Sequence, residues 1–198
     1  MKRTEDLHLL SFWGRWVAAT LLSLLAGMVL FILVGAVAGE ALDAGPPALF
    51  GLVLGAIFGT SFGIGHALVL KRKIGGAGAW IIATGIAFVV AACVIFGFLQ
   101  GSSSDTSLLI KLTHALVLGG SLGLAQYMVL ERQVTGAAAW IVISIVAWSI
   151  AELVAAFIGP LVGPPLDILL LFFIGGALPG IGIPWLLRRP VSSHEEVS

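Results

Sequence analysis

The 198-residue chain has little charge, one cysteine and no recognisable catalytic motif. Ten Lys and Arg stand against ten Asp and Glu, so charged residues make up 10% and the formal net charge is zero. A soluble domain needs more polar surface than that, which excludes an ordinary globule. A nucleic-acid partner would need a basic face to neutralise phosphates, which argues against one. The single cysteine, Cys93, rules out an internal disulfide and any Cys-rich zinc or iron–sulfur site, and within its apolar run it reads as a small hydrophobe. Nucleophile-elbow, Walker A, Cys-x-x-Cys and His-Glu-x-x-His patterns are missing, and His8, His66, His114 and His194 are dispersed. The connections are too short for a catalytic domain, so a non-enzymatic protein without cofactor or metal is expected.

What the chain has in abundance is long apolar sequence. Apolar residues make up 59% and glycine adds 26 positions, where a soluble domain carries roughly 45 to 50% with glycine counted. A helix crossing a bilayer needs about 20 apolar residues, because backbone polar groups must be satisfied within the segment. Six segments qualify: residues 16–38, 47–70, 77–99, 108–130, 137–158 and 166–187. Pro46-Pro47 opens the second, Ser102-Ser103-Ser104-Asp105 precedes the fourth, and the stretch from Gly159-Pro160 to Gly163-Pro164-Pro165 divides the last two. The expected fold is all-α, a six-transmembrane-helix bundle in one integral membrane domain, 1–198.

Orientation follows from the distribution of cations. Lys2, Arg3, Arg15, Lys71, Arg72, Lys73, Arg132, Arg188 and Arg189 fall on one side and only Lys111 near the other. The positive-inside rule therefore places both termini in the cytoplasm of a bacterial inner membrane, with Glu40, Asp43, Asp105 and Asp167 facing outward. Ala36-Val37-Ala38 resembles a signal-peptide cleavage site, but the run before it is longer than the 7 to 15 residues of a signal core.

The chain also repeats itself. Residues 59–88 align without gaps on 119–148 with 12 identities in 30, including Gly59/Gly119, Gly63/Gly123, Leu70/Leu130, Arg72/Arg132, Gly76/Gly136 and Trp80/Trp140. A shift of 117 residues brings Gly59, Gly63, Leu70 and Arg72 onto Gly176, Gly180, Leu187 and Arg189, and Trp16 to Thr20 resembles Trp80 to Thr84. The expectation is three parallel tandem helical-hairpin repeats, about 13–72, 77–132 and 137–189, with short cytoplasmic tails 1–12 and 190–198. Units of two spans all enter from one side, which excludes inverted repeats. Trp16, Trp80 and Trp140 at the start of each unit, with Arg72, Arg132 and Arg189 at its end, read as anchors at the headgroup level.

Glycines mark the packing faces. Gly51, Gly55, Gly59 and Gly63 recur every four residues, Gly119 and Gly123 share that register, and Gly176 and Gly180 echo it. Lipid provides no hydrophobic drive between helices, so small-x-x-x-small faces allow the close approach that holds them together. The expectation is that the three even-numbered helices meet near a pseudo-threefold axis; a glycine-lined conduit is the alternative. Pro179 and Pro184 should kink or unwind the sixth helix and free carbonyls for packing or for binding.

Few polar groups lie at depth. Glu152 is the only acid in the interior of a span, Asp167 standing at the outer start of the sixth, and Lys111 and His114 are the candidate partners of Glu152. Together they make either a proton or cation transport site or a tether between the fourth and fifth helices. His66 and Gln126 occupy aligned positions and read as interhelical contacts. The segment Gly123 to Arg132 followed by Ala139-Trp140, and Gly63 to Trp80 with His66 in place of Gln, resemble a loose group of uncharacterised bacterial polytopic membrane proteins. Their recurring unit is a Gly-rich helix, Gln, Val-Leu-Arg and Trp. The resemblance implies a multi-pass membrane fold and carries no activity with it. The functional expectation is an accessory or assembly subunit that uses its helix faces to contact lipid and other membrane subunits. The alternative is a small-molecule or ion transporter using the broken sixth helix and Glu152.

Overall fold

The computed structural model describes residues 2–99 and 108–188, with side chains from residue 10 onward except Pro164 and Pro165. The Ser102 to Asp105 turn, Arg189 and the 190–198 tail lie outside the described residues. The described residues are helical almost throughout: α1 (Lys2–Asp43), α2 (Pro47–Leu70), α3 (Ala77–Val94) ending in a π turn (Ile95–Leu99), α4 (Leu108–Leu130), α5 (Ala139–Val162), α6 (Pro164–Ala177), a 3-10 turn (Leu178–Ile181) and α7 (Ile183–Leu187). Six of its helical stretches, the sixth running from α6 through α7, are long and apolar enough to cross a membrane.

Several boundaries differ from those expected. The first helix is not confined to 16–38, and residues 2–12 are its first turns rather than a separate tail. Nothing between Lys2 and Asp43 removes a backbone donor, so the helix stops only before Gly45-Pro46. Pro46 takes an extended φ of −65° and ψ of 145°, and Pro47 opens α2 where no intrahelical N–H is needed. The broad break expected from Gly159 to Pro165 shrinks to one residue. Helix α5 runs through Pro160 to Val162, and Gly163, at φ 87°, reverses the chain before α6 begins at Pro164.

The connections after α2 and α4 are alike. The Leu70 carbonyl accepts from the N–H groups of Lys73 and Ile74, and the Leu130 carbonyl from those of Gln133 and Val134. Gly76 and Gly136 then supply positive φ values of 86° and 76°. Gln133 donates to the Gly75 carbonyl at 2.7 Å, tying one connection to the other.

The helices pack in chain order, and α6 returns to α1, closing a ring. The glycine faces do not bring the even-numbered helices together at an axis. A Cβ on Gly51, Gly55, Gly59 or Gly63 would come within 2.6 to 3.0 Å of α3, and one on Gly119 or Gly123 within 2.8 Å of α5. Gly176 lies against Thr20 and Phe62, and Gly180 lies flat on the Trp16 ring. Each glycine face of α2 and α4 thus receives the next helix in the chain, while that of α6 receives α1. The space enclosed by the ring is left to large side chains.

Candidate functional site

Three layers of side chains fill the ring. The first is built on Trp16, Trp80 and Trp140, each no more than 1% exposed. This corrects their assignment as headgroup anchors: the indoles point into the bundle, where Trp16 lies on Gly180 and Trp80 packs against Trp140. Arg72 and Arg132 do lie on the surface. One turn beyond each Trp stands a buried hydroxyl, from Thr20, Thr84 and Ser144. These hydroxyls were not singled out from the sequence, although the aligned Trp-x-x-x-Thr/Ser spacing marks them.

His66 and Gln126 meet these hydroxyls across helices. Thr20 donates to the Trp16 carbonyl at 3.0 Å, so its oxygen accepts from His66 Nε2, also at 3.0 Å, which assigns the imidazole proton to Nε2. Trp16 stacks on the imidazole with centroids 4.0 Å apart and planes 11° from parallel. Gln126 bridges two helices: its Nε2 donates to Thr84 Oγ1 at 2.9 Å, and its Oε1 accepts from Trp140 Nε1 at 2.9 Å. The indole can only donate, which fixes the orientation of the amide.

The third hairpin differs. Ile183 stands where the others have His66 and Gln126, and offers no acceptor. Helix α6 instead breaks at Ala177, just before Pro179, which lacks an N–H, and the Gly176 carbonyl accepts from Trp16 Nε1 at 2.9 Å. A carbonyl of the broken helix is thus taken up by an indole of this same chain. Pro184 lies in the first turn of α7, where a missing N–H costs nothing. Trp80 Nε1 is buried with no hydrogen-bond partner among the described residues.

Beyond this polar layer lies an aromatic one. Phe62, Phe88 and Phe172 stack in near-parallel planes with centroids 5.6 to 6.3 Å apart. Trp148 meets Phe88 and Phe172 edge-on at 6.1 and 5.9 Å. Between the two layers is a cavity of about 20 Å³, bordered by His66, Thr84, Gln126 and Ser144 among others. That is room for about one water molecule and none for a substrate. None of these rings was identified from the sequence as a plug, since Phe and Trp in an apolar run look alike whether they face lipid or an axis.

The third layer is charged. Trp140, Ser144, Trp148 and Glu152 follow at four-residue intervals on one face of α5, so Glu152 stands about 18 Å along the helix from Trp140. Glu152 is 9% exposed, and its charged neighbours are Lys111 of α4 and Asp167 of α6. His114, one turn from Lys111, is half-buried. The structure brings in Asp167, expected only as an outward loop residue, because α6 starts earlier than its apolar run and its carboxylate packs on Gly159. His114 Nε2 and Asp167 Oδ1 are buried without a hydrogen-bond partner among the described residues. Within those residues, no three His, Cys, Asp or Glu side chains converge as metal ligands. Cys93 lies outside all three layers, its thiol 3.5 Å from the Ala48 carbonyl. No protein-family model, curated protein or solved structure matches this chain.

Proposed function

We propose that this chain is a non-enzymatic, multi-pass membrane protein of the bacterial inner membrane, both termini cytoplasmic, acting as an accessory or assembly subunit through its outer helix faces. The observation that carries this reading is the filled axis. Apart from Trp80 Nε1, the polar side chains of the first layer are joined in hydrogen bonds, aromatic rings occupy the second, and the space between them is about 20 Å³. The outside, by contrast, offers broad apolar faces, above all on α1, where Leu22, Leu25, Val29, Ile32 and Leu33 are exposed. Such faces suit lipid or the spans of another protein.

In this reading the three parallel hairpins descend from one repeated unit. The matching connections at Gly76 and Gly136 support it, as do the aligned contacts Thr20–His66 and Thr84–Gln126. The third hairpin has exchanged its polar contact for a proline break. The cation distribution supports the orientation. The likeness to the bacterial group with Gly-rich helix, Gln, Val-Leu-Arg and Trp units rests on the second hairpin, where Gln126 is retained.

The test is native mass analysis of the protein in lipid nanodiscs, extracted gently from cells expressing it at natural levels. Stoichiometric co-purification of another membrane protein is expected. Recovery only as a clean monomer or homo-oligomer would sink the subunit reading.

One observation favours a second reading, a transporter of ions or small molecules. The charged neighbours of Glu152 are Lys111 and Asp167, His114 stands one turn from Lys111, and two buried polar atoms, His114 Nε2 and Asp167 Oδ1, lack partners among the described residues. Buried ionisable groups at membrane depth are costly and commonly mark ion or proton pathways. On this reading Glu152→Gln abolishes uptake while the protein remains folded. Unchanged uptake would reduce the cluster to a tether between α4, α5 and α6.

A further inference from the structure

A second feature lies on the outside of the bundle, on the outer faces of the helices that carry Trp16, Thr20 and His66. Helices α1 and α2 run antiparallel and leave a furrow of about 610 Å³ between them. Its volume falls within the range of small-ligand sites. Small residues make it: Ala18, Ala19, Ser23 and Ala26 on α1, with Ser61 and Gly65 on α2. A Cβ on Gly65 would collide with Ser23 Oγ, so the two helices touch along the floor while Leu22, Leu30, Ile64 and Leu68 stand as its walls. Arg15 is the first α1 residue of the lining, and Lys71 and Arg72 are the last from the α2 side. In an antiparallel pair these three cations share one end.

The furrow therefore has the polarity of a lipid. One end presents two guanidiniums and an ammonium, and the rest is apolar apart from two serines. From residue 15 to residue 30 the helix rises roughly 22 Å, more than the depth of about 15 Å that one leaflet occupies. Arg15 is held in place, its Nε donating to the Ser11 carbonyl and its guanidinium to the Ser11 hydroxyl, each at 3.2 Å. That leaves further donors on the guanidinium for an anion.

The other hairpins do not reproduce this. Ala79, Glu131 and Arg132 align with Arg15, Lys71 and Arg72, so the second hairpin replaces one cation with a methyl group and another with an acid. The comparable furrow between α5 and the broken segment, about 350 Å³, is lined by Val142, Ile143, Val146 and neighbouring small or apolar residues, with no charged side chain.

We propose that the α1/α2 furrow is a specific site for one anionic phospholipid. Its phosphate is held by Arg15, Lys71 and Arg72, and one acyl chain lies between Leu22, Leu30, Ile64 and Leu68. The inference rests on the chain spanning a membrane and is independent of whether the protein is a subunit or a transporter.

The experiment titrates the delipidated, detergent-solubilised full chain with phosphatidylglycerol or with phosphatidylcholine of identical acyl chains, counting bound lipid by native mass spectrometry. One phosphatidylglycerol should bind roughly tenfold more tightly than phosphatidylcholine. The combined variant Arg15→Gln, Lys71→Gln, Arg72→Gln should erase that preference, and Arg132→Gln should leave it intact. Ala26→Trp, which fills the furrow from an exposed position, should weaken retention of both lipids. Equal binding of the two lipids by the parent protein would overturn the proposal. So would an equal loss of preference in Arg132→Gln, or complete displacement by millimolar inorganic phosphate, which would point to a free anion. Cross-linking of a polypeptide, rather than lipid, to a photoreactive residue at Leu68 would overturn it in favour of a partner helix. Each variant's unfolding midpoint separates a lost site from a lost fold. If lipid selectivity fails while the protein still inserts into nanodiscs, the membrane-spanning reading stands.

Discussion

The polar layer around Gln126 and the charged layer around Glu152 share helices α4 and α5, yet they are built on opposite terms. In the first, His66, Thr20, Gln126, Thr84 and Trp140 join in hydrogen bonds of about 3 Å, and among the described residues Trp80 Nε1 is the one buried side-chain polar atom there without a partner. In the second, His114 Nε2, beside Lys111, and Asp167 Oδ1, beside Glu152, are buried without a hydrogen-bond partner among the described residues. A satisfied neutral network holds helices together; an unsatisfied charged cluster stores free energy that a ligand, water or proton can release. The contrast assigns the first layer to architecture and marks the second as the place where any chemistry would occur.

The largest effect should come from the helix contacts beneath both layers. Replacing Gly55 or Gly119 with Val puts a Cβ about 2.6 to 2.8 Å from backbone on the neighbouring helix. Such a variant should lose about 3 kcal/mol in micelle unfolding. Gly120→Ala, with nothing within 4 Å, should remain within about 0.5 kcal/mol of the parent. Equal effects at Gly119 and Gly120 would show that the glycine faces are incidental.

Next comes the polar bridge. Gln126→Leu strands the Trp140 N–H and removes the donor to Thr84, and should destabilise by about 2 kcal/mol. The indoles sharpen this further. Trp140→Phe should cost about 1 kcal/mol more than Trp80→Phe, because the Trp80 N–H is already unpartnered. Thermal midpoints of the two variants side by side decide it, and identical shifts would remove the Gln126–Trp140 bond from the account.

Among the residues of the two layers, the smallest change in stability is expected at Glu152. Glu152→Gln removes the charge and keeps the shape, so its unfolding free energy should move by less than about 1 kcal/mol. A loss as large as that of Gln126→Leu would instead make Glu152 a structural tether, and the contrast between the layers would collapse.

Much of this was legible beforehand, and the exceptions have a common origin. The six apolar runs and the polar positions 66 and 126 could be read directly, since each expresses a local backbone rule or an aligned residue, whereas Gly76 and Gly136 were visible as an aligned pair and only the structure shows their positive φ. The glycine faces were visible as faces, but their partners were not: Gly59 lies against Gly85 and Phe88 of α3 rather than against α4 or α6. Trp16, Trp80 and Trp140 suggested the headgroup level because they begin apolar runs, whereas the Trp16 ring stacks on His66 and covers Gly180. Asp167 was missed because it begins an apolar run; only the one-residue turn at Gly163 carries it back onto Gly159 and toward Glu152.

The amino-acid sequence by itself determined that the chain forms long apolar helices, where most of them end, and that few ionisable groups lie inside them. Those outcomes depend on hydrogen-bonding and steric rules that operate within a few residues. Tertiary structure alone decided that α6 closes a ring on α1, that the indoles and phenyl rings face its axis, and that Asp167 joins Glu152. When nearly every helix face is apolar, hydrophobicity cannot select the inward one, so shape complementarity between glycines and aromatic rings makes the choice.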